Sequence, residues 1–210
     1  MMKINVTNKV KNLDVTVSES ADGVEILITE KEDKKENKTL GSVAPGDIVT
    51  IGKHKYIVLD HTTETTALLD ANKIDERVFD DDDSDYETSD VRKYLNDKYY
   101  KELCAAVGKD NVIKHRVNLE ADDGSNKGEY CEDFVSLITT ANYRRYREYI
   151  PNSGFSFWTA TRVTTADKDY FRFVCCVYSR GVLCWSGCGY RHGVRPFCIL
   201  NSSVSVSCNQ

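Results

Sequence analysis

The sequence predicts an α+β domain, on three observations. Two helix-like segments lie between two groups of strand-like segments. Strands and helices do not alternate in the way that builds a parallel sheet, and an alternating hairpin precedes the whole. In that hairpin, LDVTVSE and VEILIT place Leu13, Val15 and Val17, then Val24, Ile26 and Ile28, at period two. Asp22-Gly23 forms the turn between them. A lone hairpin is marginal in water, and the following KEDKKENK reads as a solvated linker. Residues 1–39 are therefore expected to be a hairpin and charged linker. They suit homo-oligomer assembly or attachment to a larger particle, with packing on the chain's own domain as the plainer alternative.

Residues 40–210 form the expected ligand-binding domain. A Pro-Gly turn at 45–46 introduces short strands near 47–52, 55–60 and 65–70. The first helix is expected over 89–107. Ser89 is its N-cap, Val91, Tyr94, Leu95, Tyr99, Leu103 and Ala106 make one face, and Gly108 stops it. A second is expected over 140–149, capped by Thr139 and ended by Pro151 and Gly154. From 155 onward Phe, Val, Thr, Tyr and Cys dominate, with Gly at 181, 187, 189 and 193. That pattern predicts short antiparallel strands and turns.

Bulk properties bound the function. A chain of 210 residues suffices for one sizeable core, and its net charge of -5 argues against a general affinity for nucleic acid. The N-terminus MMKINVTNKVKNLDV lacks the apolar core of a signal peptide, and no run approaches membrane-span length. Synthesis in the cytoplasm, without export or membrane insertion, is the expectation. Of eight cysteines, Cys175, Cys176, Cys184, Cys188, Cys198 and Cys208 crowd the C-terminal end. Without a secretory leader, and with adjacent Cys175 and Cys176 pointing to opposite faces of a strand, most are expected to be reduced.

The C-terminal vocabulary carries the functional clue. The last Glu is Glu148 and the last Lys is Lys168, and residues 169–192 (DYFRFVCCVYSRGVLCWSGCGYRH) hold no Lys, Glu, Gln or Met. Tyr, Trp and Arg are side chains that recognition surfaces favour. Val174, Val177, Gly181, Leu183 and the GVRPF block are expected to be framework. Tyr170, Arg172, Cys176, Tyr178, Arg180, Cys184, Ser186, Cys188, Tyr190 and Arg191 are then expected to share one exposed face and bind the ligand.

YETSDVRKYLN (86–96), FSFWTAT (155–161) and GVRPFCILNSS (193–203) resemble a bacterial and phage domain family. The resemblance spans about 40–207. It implies a C-type-lectin-like fold, in the branch shared with formylglycine-generating enzymes, and a likeness to the variable proteins of diversity-generating retroelements. In such proteins a reverse transcriptase that miscopies adenines rewrites the stretch before the closing block. AAY codons mutated in this way encode everything except Lys, Glu, Gln, Met and Trp, and 169–192 lacks four of those five. Trp185, the exception, is expected to be framework or to arise from another codon. A half-buried, strand-rich segment also lacks Lys and Glu, but does not explain Arg172, Arg180, Arg191 and His192 beside so many Cys. The resemblance implies a phage- or prophage-encoded receptor-recognition protein, with the virion as one location and a protein or glycan as ligand.

Chemical alternatives fare less well. Cys184-x3-Cys188-x3-His192, with Cys175 or Cys176, offers ligands for tetrahedral zinc, but the spacing is loose and no CxxC occurs. A thiol oxidase like the formylglycine-generating enzymes would have to use Cys184 and Cys188, whose surroundings do not match that family's pattern. Asp81, Asp83 and Asp85 imitate the start of a calcium loop that fails at Tyr86 and Arg92. No nucleophile motif accompanies the scattered histidines. The expectation is a binding protein without catalysis, cofactor or obligatory metal; the alternative is a zinc-binding or thiol-based enzyme using Cys184 and Cys188.

Overall fold

The computed structural model describes residues 13–20, 23–30 and 37–208. It divides into two compact units, Met1–Glu36 and Asn37–Gln210. In chain order the strands are β1 Leu13–Ser20, β2 Gly23–Glu30, β3 Asn37–Thr39, β4 Ile48–Ile51, β5 His54–His61, β6 Thr65–Asp70, β7 Asp75–Arg77, β8 Val112–Ile113 and β9 His115–Asn118. There follow β10 Tyr130–Asp133, β11 Val135–Leu137, β12 Phe157–Arg162, β13 Phe173–Val177, β14 Leu183–Gly187, β15 His192–Val194, β16 Pro196–Asn201 and β17 Ser205–Cys208.

The first unit holds the antiparallel pair β1–β2, with Val17 opposite Ile26 and Ser20 opposite Gly23. Val17, Val24, Ile26, Leu27 and Ile28 are exposed. Asp22 of the expected turn and residues 31–36 of the expected linker lie outside the described residues.

In the second unit an eight-stranded sheet runs β11-β16-β6-β5-β4-β17-β3, with β8 also on β16. The two ends of the unit meet there, since Asn37–Thr39 pairs with Ser205–Ser207. A five-stranded sheet runs β14-β13-β12-β15-β7, and its β12–β15 contact is parallel. The core between elements gathers Leu40, Tyr56, Leu68, Phe79, Leu95, Trp158, Val174 and Leu200. Trp158 is fully buried and donates its ring N–H to the Arg77 carbonyl at 3.0 Å.

The expected α+β class with two helices does not hold. The structure is mostly β, 41% strand and 18% helix, with a curled antiparallel sheet and, among the described residues, only one helix of seven residues or more. The C-type-lectin-like two-helix fold implied by the resemblance falls with that class. The first expected helix is present as a continuous helical rod, capped where Ser89 Oγ accepts from Arg92 N at 3.3 Å. It is broken into α1 Asp90–Tyr94, a π turn Leu95–Tyr99 and α2 Tyr100–Val107. The π turn keeps both Leu95 and Tyr99 buried. The second expected helix stops after six residues as α3, Thr140–Arg145. Thr140 and Asn142 are poor helix formers, and the following side chains bond outward rather than along a helix face. Tyr146 Oη donates to Asp60 at 2.9 Å, and Arg147 bonds Asn152 at 2.6 Å. Among the described residues no helix is long and apolar enough to cross a membrane.

One buried charge joins the two sheets. The chain passes from β15 to β16 at Arg195, which is 1% exposed. Its Nε donates to the Asp70 carbonyl at 2.9 Å, and its guanidinium lies 4.7 Å from the Phe157 ring centre. Burial pulls its pKa down to about 10, with nearby Asp70 opposing, so it stays protonated at neutral pH. Gly193 just before it has no room for a side chain, because a Cβ would meet the Ser156 carbonyl at 2.9 Å. Beside the Arg195 site, Asp70 is buried and meets His54 Nδ1 at 2.9 Å and Tyr99 Oη at 3.3 Å.

Arg195→Ala should destabilise the protein by about 3 kcal/mol, since it leaves a cavity and two carbonyls short of a donor. Urea unfolding midpoints measure this. A second expectation concerns acid. His115 donates or accepts at Ser136 Oγ, 3.1 Å away, and its burial lowers its pKa below the usual 6.5. As the pH falls through about 6.5, the unfolded chain takes up this proton and the folded chain does not, so stability is lost on the acid side. His115→Gln should flatten that loss, read as the change in midpoint between about pH 7.5 and about pH 5.5.

Candidate ligand-binding face

β13 and β14 form a hairpin at the edge of the five-stranded sheet. Its turn closes where Tyr178 N donates to the Val182 carbonyl at 2.9 Å, and Gly181 takes a φ of 80°. The loop 179–181 with a left-handed glycine last is a favoured hairpin solution. The glycine is required twice over, because a Cβ there would also run into Arg147 and Asn152. Tyr143 Oη from α3 donates to the Gly181 carbonyl at 2.9 Å, which pins the turn to the body of the unit.

Register assigns the two faces. Phe173 opposes Gly187, Cys175 opposes Trp185 and Val177 opposes Leu183; Val174 opposes Ser186 and Cys176 opposes Cys184. The second set faces inward, where Val174, Cys176 and Cys188 join Trp158 in the main core. The first set faces outward. α3 covers part of it, with Tyr143 edge-on to Phe157 at 6.1 Å and Val177 packed in the same cluster. Cys175 is also buried there, and burial pushes its thiol up to about 12, with Asp122 adding to the shift and Arg144 opposing it.

Beyond α3 the outward face is aromatic and open. Phe173 lies 5.0 Å from Trp185 and 5.5 Å from Tyr170, and Tyr170 lies 6.3 Å from Trp185. Tyr190 extends the patch: its ring lies 3.3 Å from where a Gly187 Cβ would be, over the outward side of that strand. Trp185 is 54% exposed and Tyr190 70%. Along the same sheet face lies a hollow of about 370 Å³ lined by Asn118, Asp122, Asp123, Thr140, Arg144 and Thr161. Its charges are organised: Arg144 meets Asp122 at 2.9 Å, and Thr140 Oγ1 donates to Asp122 at 2.8 Å.

The expected binding residues separate into three groups. Tyr170, Arg172, Tyr178, Arg180, Tyr190 and Arg191 are exposed, and Cys184 and Ser186 are half-buried. Cys176 and Cys188 are fully buried, so the single exposed face expected to contain them does not exist as such. Cys176 points at the core beside Trp158. Cys188 is held from both sides, its N–H donating to the Arg172 carbonyl at 2.7 Å and its carbonyl accepting from Phe79 at 2.9 Å. Two arginines expected to offer free donors instead anchor the hairpin. Arg172 Nη2 donates to the Asp81 carbonyl at 2.6 Å, and Arg191 bonds the Glu76 carbonyl. Val174, Val177 and the GVRPF block are buried, and Leu183 is half-buried.

Sequence reasoning overlooked Phe171, Phe173, Val182 and Trp185. Phe171, Val182 and Trp185 are exposed, and Trp185 is part of the patch. Counting by twos from Phe173 while pairing the strands across Gly181 would have placed Phe173 and Trp185 together.

Among the described residues no group of three His, Cys, Asp or Glu is placed to hold a metal ion. His192 instead edges onto Trp158 at 4.4 Å and bonds Ser156 Oγ at 2.6 Å. Cys184 and Cys188 both have their thiols pushed up by burial, the reverse of an activated nucleophile. The acidic loop uses its carboxylates on its own backbone, Asp80 accepting from Asp82 N at 2.8 Å and Asp83 from Asp85 N at 2.7 Å. Comparison with protein-family models, with curated proteins and with solved structures finds no match.

Gly181→Ala should cost at least about 1–2 kcal/mol from its backbone angle alone. Thermal melting would register this as a lower midpoint, whereas Gly189→Ala, with open space around it, should leave the midpoint nearly unchanged.

Proposed function

We propose that this is a ligand-binding protein that recognises a partner through segment 169–192, and that this segment is diversified by a retroelement. The observation that carries the reading is where apolar surface is left uncovered. Among the described residues of the second unit the exposed large apolar side chains are Ile48, Tyr130, Tyr170, Phe171, Tyr178, Val182, Trp185 and Tyr190; six of these eight lie within 170–190. A soluble domain concentrates exposed apolar area in this way mainly where something docks. The core beneath supplies rigidity, so Tyr170, Trp185 and Tyr190 meet a ligand with little ordering cost. The missing Lys, Glu, Gln and Met of 169–192, and the likeness of 193–203 to a closing block, support diversification. A protein surface is the favoured ligand, because the exposed strip is built from aromatic side chains.

Trp185→Ala and Tyr190→Ala should each change stability by no more than about 0.5 kcal/mol. They should weaken any ligand found on protein and glycan arrays by about tenfold or more. Unfolding of both variants, or undiminished binding, would remove the patch as the binding site. The coding DNA tests diversification separately: a near-copy of the 169–192 codons differing only at adenines, beside a reverse transcriptase gene, is the expected finding.

A further inference from the structure

The hairpin also holds two thiols that lie on the other face of the sheet from the aromatic patch. Cys176 and Cys184 are register partners, and their sulfurs stand 2.8 Å apart, closer than unbonded heavy atoms normally sit. The ladder places them in a hydrogen-bonded pair: Tyr178 N bonds the Val182 carbonyl at one end and Cys188 N bonds the Arg172 carbonyl at the other, and such pairs recur every second residue between them. Cα atoms in pairs of this kind are about 5.5 Å apart, inside the range a disulfide spans. Neither neighbouring cysteine of the segment is placed this way. Cys175, next in sequence, faces the opposite side of the sheet, and Cys188 is held against Arg172.

We propose that Cys176 and Cys184 form a reversible disulfide clip across this hairpin when the protein meets a peroxide-class oxidant. Cys184 is half-buried and Cys176 fully buried, so the oxidant reaches Cys184 first. The Cys184 thiolate attacks one peroxide oxygen, the O–O bond breaks, and a sulfenic acid and hydroxide result. Cys176 sulfur then attacks Cys184 sulfur, the S–O bond breaks, and the second oxygen leaves as hydroxide. With the two thiol protons, both hydroxides become water. Two thiols and one hydrogen peroxide thus give one disulfide and two waters, and a small dithiol reverses the change. Burial disfavours both thiolates, so the reaction should be slow at neutral pH and quicken as the pH rises.

The test treats the folded, reduced full-length chain with hydrogen peroxide, then blocks remaining thiols with an alkylating agent under denaturing conditions. Wild-type protein should go from eight alkylated cysteines to six, and dithiothreitol should restore eight. Trypsin cuts after Arg172, Arg180 and Arg191, so the clip should join peptides 173–180 and 181–191, with fragmentation placing it on Cys176 and Cys184. Cys175→Ser should still lose two thiols, whereas Cys184→Ser should lose none. A linkage at Cys175 or Cys188, undiminished thiol loss in Cys184→Ser, or eight thiols retained by wild type under conditions that oxidise the unfolded chain would each overturn the proposal. The fragment map needs only wild-type protein, so it decides the matter even if a variant fails to fold.

Discussion

A guanidinium with almost no water around it holds the two sheets of the second unit together. Arg195 sits where the chain leaves the five-stranded sheet and enters the eight-stranded one, and it reaches back to carbonyls at the end of β6. A buried charge is tolerated only when protein groups replace its lost hydration, which fixes the positions of those groups. Here the carbonyls of Asp70 and Ala71, the Phe157 ring and the buried Asp70 side chain supply that replacement. Of its nitrogens only Nη1 lacks a hydrogen-bond partner. The neighbouring chain inherits the constraint, because β15 lies between Arg195 and the loop that bears Tyr190 and Arg191.

From that fixed point the candidate binding face follows by packing. β12 lies against β15 on one side and β13 on the other, and Trp158 fills the space beneath them. α3 roofs the outward side only as far as Val177 and Cys175. What it leaves bare is the strip carrying Phe173, Trp185, Tyr170 and Tyr190. Arg172 and Arg191 hold the hairpin to the segment around residues 76–81, so the strip is set on a rigid base rather than a free loop.

Local patterning determined a good deal by itself. The strands expected near 47–52, 55–60 and 65–70 occur as β4, β5 and β6, because strand-forming runs bounded by turn residues are a property of neighbouring residues. Ser89 as a cap and the hairpin at Val15, Val17, Ile26 and Ile28 are legible for the same local reason. The concentration of exposed aromatics in 170–190 was likewise signalled by composition, since residues chosen for contact differ from those chosen for solubility.

Tertiary structure alone decided the rest. Whether Cys176 or Trp185 faces the core depends on which side of the hairpin the body of the protein occupies, and alternation specifies two faces without saying which is inside. The chain put Trp158 and the main core on the Cys176 side, so a cysteine expected at the surface is buried, and Trp185, expected to be framework or to arise from another codon, is exposed. The balance of helix and strand was also out of reach. Where α3 ends, Tyr146 bonds Asp60, 86 positions away. Contacts at that separation exist only once the sheets have assembled, and no periodicity in the sequence records them.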